Sequence, residues 1–117
     1  HSFLIKETQM SDEQSKLFIP LYTEMEDKVY QANRNARQLE ADLSREKDEV
    51  SDEQYTAVAK ALSDVTVIEG EIEKEYFKIF EKILSPKQMF LLKRAENRFA
   101  VEMLNHNKRS KAKQGNE

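Results

Sequence analysis

Two carboxylate pairs, Glu69/Glu73 and Glu71/Glu75, come closest in type and spacing to a chemical site. On a helix each pair lies one turn apart and could hold a metal ion between its members. A metal-responsive centre would need several His or other strong ligands close together. This chain has two His, at positions 1 and 106, and no Cys. On a helix this rich in charge such pairs form a solvated face. No Gly-rich phosphate loop and no nucleophile motif occurs. The chain therefore reads as a non-enzyme with no cofactor and no metal site.

A different pattern carries more information. Met10-Ser11-Asp12-Glu13-Gln14, Val50-Ser51-Asp52-Glu53-Gln54 and Leu84-Ser85-Pro86-Lys87-Gln88 all read apolar–Ser–x–x–Gln. Each stands before a stretch with helical hydrophobic spacing. The chemistry is that of a capping box: the Ser hydroxyl accepts from the third helical N–H, and the Gln carbonyl accepts from the N-cap N–H. The apolar residue ahead of the Ser can staple onto the first turn, as Val50 on Tyr55 and Leu84 on Met89. Pro86 falls at the first helical position, where its fixed φ helps and its missing N–H costs nothing. Ser11, Gln14, Ser51, Gln54, Ser85 and Gln88 are thus read as helix-capping residues.

The elements follow from these starts. Residues 2–9 form a short helix with Phe3, Leu4 and Ile5 on its apolar face. A first long helix runs from Ser11 to about Lys47, roughly 55 Å. Its stripe is Leu17, Leu21, Met25, Val29, Ala32, Ala36, Leu39 and Leu43, in steps of three and four. Pro20 interrupts it and predicts a bend near residues 16–20. A second long helix carries Tyr55, Val58, Leu62, Val65, Ile68, Ile72, Tyr76, Ile79 and Ile83. Gly70 sits in its middle, either to permit close packing or bending, or merely tolerated. The short link forces the two long helices antiparallel. A last helix, about Pro86 to Asn107, places Met89, Leu92, Ala95, Phe99 and Met103 on one face. Phe90, Leu91, Val101 and Leu104 widen that surface, so packing on the hairpin and at a subunit interface is expected. Tyr55, Tyr76 and Phe99 read as core; Tyr30 and Phe77 lie off the stripes.

Composition agrees with an all-α fold. Two Gly and two Pro punctuate 117 residues of which 35% are charged, the make-up of long amphipathic helices. The apolar share, 38%, is low for a compact globule, and a thin hairpin buries little alone, so a homodimer is expected. Residues 1–83 carry 11 Lys/Arg against 19 Asp/Glu; residues 84–117 carry 8 against 3. The expected organisation is one helical domain over residues 1–107 and a basic, disordered tail over 108–117. A basic tail could touch nucleic acid or anionic lipid, but this one holds few charges and no interleaved aromatics, so nucleic acid is not the expected partner. No apolar run approaches a membrane span.

Three apolar–Ser–x–x–Gln boxes on a helical chain resemble the LTxxQ motif of the Spy/CpxP family of bacterial periplasmic proteins. The closest stretch is Leu84-Ser85-Pro86-Lys87-Gln88 with Met89-Phe90-Leu91-Leu92 behind it, at the place of that family's second motif. Met10-Ser11-Asp12-Glu13-Gln14 stands at the place of the first, after a short N-terminal helix. The Val50 copy lies at the hairpin turn. The resemblance spans residues 2–107; Ser replaces Thr throughout, and Met or Val replaces Leu in two copies. It implies a curved antiparallel dimer of helical hairpins in the periplasm, its signal peptide removed ahead of His1. It further implies an ATP-independent holding chaperone for unfolded or partly folded clients, with an alternative as an envelope-stress sensor bound to one membrane signalling protein. For the client-binding surface it implies Tyr22, Tyr30, Arg34, Arg37, Arg45 and Phe77, with Phe18 and Phe80 behind them. The acidic balance of residues 1–83 departs from the basic cradle of that family.

Overall fold

The computed structural model describes the backbone of residues 1–115 and the side chains of residues 1–101. Among the described residues all regular structure is helical: α1 (Ser2–Thr8), α2 (Asp12–Ser44), α3 (Asp52–Phe80) and α4 (Pro86–Gly115). The all-α class and the helical hairpin read from the sequence are observed. The chain divides into two compact units, one of His1–Leu17 with Phe80 onward, the other Phe18–Ile79.

All three boxes close. The N–H groups of Gln14, Gln54 and Gln88 donate to the hydroxyls of Ser11, Ser51 and Ser85 at 3.1, 3.2 and 3.1 Å. In return the N–H groups of the three Ser donate to the Gln Oε1 atoms at 3.0, 2.9 and 2.9 Å. Two of the orphan amides at each helix start are thereby satisfied within the chain. Asp12, Glu13, Asp52 and Glu53 add negative charge to the first turns of α2 and α3, where the helix dipole favours it.

The unit Phe18–Ile79 is the hairpin. Lys28 Nζ lies 5.0 Å from the centre of the Tyr76 ring, and Asn33 Nδ2 donates to Glu69 Oε1 at 3.1 Å. Farther along, Ala32, Ala36 and Leu39 line a shallow groove with Ala61, Val65 and Ile68. Residue numbers climb on α2 while they fall on α3, which is antiparallel pairing. At the turn, Glu46 Oε1 accepts the N–H groups of Lys47 and Asp48 at 3.2 and 3.4 Å.

The buried residues of this unit are Phe18, Tyr22, Met25, Ala36 and Tyr76. At the start of the α2 stripe Phe18 and Tyr22 turn inward in place of the expected Leu17 and Leu21, while Met25 is buried as expected. The Phe18 and Tyr22 rings stack with centroids 5.1 Å apart, while Leu17 stays exposed. Two aromatic rings bury more apolar area than two leucines, so they take the inward positions. Helical backbone continues through Pro20, which sits exposed and gives up one ladder bond without ending α2.

In the other unit α1 packs on α4. Phe3 and Phe99 ring centroids are 6.1 Å apart, and Arg98 Nη1 reaches Glu7 Oε2 at 3.7 Å. Leu4, Thr8, Phe80, Leu84, Met89, Leu91, Leu92 and Ala95 are buried. α1 ends in a Schellman motif: Met10 N–H donates to Ile5 O and Gln9 N–H to Lys6 O, each at 3.2 Å. Gln9 takes the left-handed conformation this requires, φ 58°, without being glycine. α4 continues past Asn107 to Gly115, through residues 108–114, which are mostly Lys, Arg, Ala and Gln, good helix formers, and include no Pro. The tail 108–117 is thus helical in backbone to Gly115; the rest of that expectation lies outside the described residues.

Candidate functional site

The first and third boxes do more than cap. Gln14 Nε2 donates to Gln88 Oε1 and Gln88 Nε2 donates to Gln14 Oε1, both at 2.9 Å, so the two amides form a closed cyclic pair. The second proton of each Nε2 goes to backbone. Gln14 donates to Ile83 O at 3.1 Å and Gln88 to Gln9 O at 3.3 Å. Each acceptor lies two residues ahead of the opposite box's Ser, so the arrangement is locally two-fold. Every donor and acceptor of both amides is used. The Gln54 amide, by contrast, bonds among the described residues only within its own box. The first and third boxes form one structural joint; the second is a cap.

The residues proposed for client contact are not one cluster. Tyr30, Arg34 and Arg37 share a face of α2 at i, i+4 and i+7, opposite the Ala32 and Ala36 side that faces α3. All three are exposed, Tyr30 at 62%, and Arg37 Nη1 is paired with Glu40 Oε2 at 3.1 Å. Arg45 is exposed beyond the end of α2, about 12 Å along the axis from Arg37. Phe77 is half-buried on α3, one residue from the inward Tyr76. Tyr22 is core, 7% exposed and stacked on Phe18. Phe18 and Phe80 are buried too. Burial leaves no ring face of these three for a client.

Other apolar side chains stand exposed where the stripes led to core. Tyr55 is 56% and Phe99 51% exposed, and Leu39 and Ile68 also reach solvent. Two helices can cover only one side of each other, so the outer edges of each stripe remain open. Val67, which lies off the α3 stripe, is exposed as well.

Electrostatics in the hairpin centre on Lys28. The Tyr76 hydroxyl beside it holds its ammonium above the ordinary lysine range against the cost of desolvation, with smaller contributions from the charges of Glu75 and Glu24. Glu24 Oε1 is 4.0 Å from Lys28 Nζ. Glu69 is engaged by Asn33, and among the described residues no group of three or more His, Cys, Asp or Glu could hold a metal ion. His106 lies outside the described side chains. Among the described residues no helix is long and apolar enough to cross a membrane.

Comparison with protein-family models, with curated proteins and with solved structures found no match to this chain.

Proposed function

We propose that this chain is a Spy/CpxP-like protein of the bacterial periplasm that holds non-native proteins without ATP and works as a homodimer. The observation that carries the reading is the coupling of the two Ser-x-x-Gln boxes through Gln14 and Gln88, the pair whose places resemble the two LTxxQ motifs. The exposed Tyr30, Arg34 and Arg37 supply a second support. An aromatic ring and two guanidinium groups on one face give weak contacts to apolar and acidic segments alike. Weak, distributed contact suits a client that must fold while held, because no single conformation is strongly favoured. The shallow apolar groove along the hairpin adds area of the same kind.

The test is light scattering of two unrelated, chemically unfolded clients diluted into buffer with this protein and no nucleotide. Suppression of both at near-stoichiometric ratios is expected, weakened by the triple variant Y30A/R34A/R37A. Failure to suppress either, with the protein folded, overturns the holding reading.

The second reading is a stress sensor that binds one membrane signalling protein. The excess of Asp and Glu over residues 1–83 favours it, since an acidic surface discriminates among partners more than it welcomes them. It predicts one partner at fixed stoichiometry and no general suppression.

A further inference from the structure

The exposed side of α4 has a composition that neither the boxes nor the hairpin uses. Lys87, Phe90, Arg94 and Val101 follow one another at spacings of three, four and seven, so they form one stripe along the helix. All four are exposed, and Phe90 at 63% is the most open large apolar side chain among the described residues. The Arg94 guanidinium lies 5.6 Å from the Phe90 ring centre. Lys93 and Arg98 flank the stripe, the first held by Glu96 at 3.3 Å and the second by Glu7 at 3.7 Å. Between Pro86 and Val101 the sole acidic residue is Glu96, and it is half-buried. The opposite side of the helix buries Leu91, Leu92 and Ala95.

We propose that this face of α4 docks on a membrane surface that carries anionic lipid. Phe90 would enter the headgroup layer, with Lys87 and Arg94 on the lipid phosphates. Charge complementarity selects this occupant. Residues 86–101 carry four Lys/Arg (Lys87, Lys93, Arg94 and Arg98) against the single Glu96, although the whole chain is net negative. An apolar side chain ringed by Lys and Arg on a helix is the pattern of an interfacial contact. The face of a single helix is convex, which gives a folded partner little to enclose. Headgroups and acyl chains instead close around a protruding ring. The inference is independent of the holding activity, which is measured without vesicles.

The experiment is sedimentation of the full chain with vesicles of phosphatidylcholine alone and of phosphatidylcholine with phosphatidylglycerol. Binding to the anionic vesicles is expected, with little to the neutral ones and loss in high salt. F90A and R94E should each weaken it about tenfold. Both sites are exposed, so the far-UV circular dichroism of the variants should match the parent. The chain has no Trp, so F90W adds one reporter, and its emission should shift to the blue on anionic vesicles alone. No binding, or no emission shift in F90W, overturns the proposal. So does binding that F90A and R94E leave unchanged, which would assign it to the basic tail. Equal affinity for soluble poly-glutamate, unaffected by F90A, would also overturn it and make the face a contact for an acidic protein.

Discussion

Gln14 and Gln88, 74 positions apart in the chain, present their side-chain amides to each other as a closed pair with two 2.9 Å bonds. Each amide also serves its own capping box and one backbone carbonyl of the opposite segment. A Gln that only capped a helix would leave its Nε2 to water. Here both Nε2 groups are spent on tertiary contact in a part-buried setting, where a missing partner costs more than the bond itself contributes.

The three boxes should therefore answer the same substitution differently. Glu can replace Gln in a capping box, because the carboxylate still accepts the N-cap N–H. At position 54 nothing more is asked, and Q54E should change stability by no more than about 0.5 kcal/mol. Q14E and Q88E each remove two donors and set a carboxylate against the partner's carbonyl oxygen. Each should cost about 2–3 kcal/mol in urea unfolding at neutral pH, with part recovered in acid where the carboxyl is protonated. Equal effects at all three positions would mean that the amide pair contributes nothing.

Thr8 offers a gain. Its side chain is fully buried at the C-terminal end of α1, and its Oγ1 has no hydrogen-bond partner among the described residues. T8V keeps the shape and removes the unsatisfied hydroxyl, so it should raise stability by about 1 kcal/mol. A loss of stability on thermal unfolding would show that the hydroxyl is satisfied in solution, by water or by a backbone carbonyl.

The helix starts were legible because capping is local: Ser and Gln three apart meet each other whatever else the chain does. The hairpin was legible for a similar reason, since a short link between two long stripes leaves one pairing. What the residues did not reveal is which edge of a stripe points inward. Phe18 and Tyr22 sit one position from the exposed Leu17 and the half-buried Leu21, and an offset of about 100° decides which pair fills the core. Only the packing partner decides between them, and Tyr22 is core for that reason. The Gln14–Gln88 pair was hidden more deeply, because capping alone already accounts for a Gln at each place. Tyr55 and Phe99 failed in the opposite sense: periodicity marks an apolar face but not whether anything covers it.

The Lys28–Tyr76 contact should carry a pH signature. Because the Lys28 pKa is raised in the folded state, chiefly by the Tyr76 hydroxyl, the folded protein binds this proton more tightly than the unfolded chain. Its contribution is complete below the unfolded lysine value of about 10.4 and is lost as pH rises through the higher folded value. The stability difference between the parent chain and K28M should then be largest near neutrality and shrink above about pH 10. Y76F should reduce that alkaline slope. A difference that stays constant with pH would assign the contact to the apolar stem of Lys28 lying on the ring.

Gly70 separates packing from function in the hairpin. It lies exposed in α3 with no positive φ, and a Cβ built on it meets nothing within 4 Å. Close packing within the chain therefore does not require glycine there. Its replacement by Ala removes backbone freedom from the unfolded chain and should stabilise by about 1 kcal/mol. In a protein of this size that is roughly 4 °C in the melting temperature. If a second subunit or a client approaches α3 closely at this point, G70A should raise the melting temperature of the isolated chain while weakening that association. Stabilisation with dimerisation and client holding unchanged would leave Gly70 as a tolerated residue. A loss of stability would mean that a close neighbour reaches the position in solution.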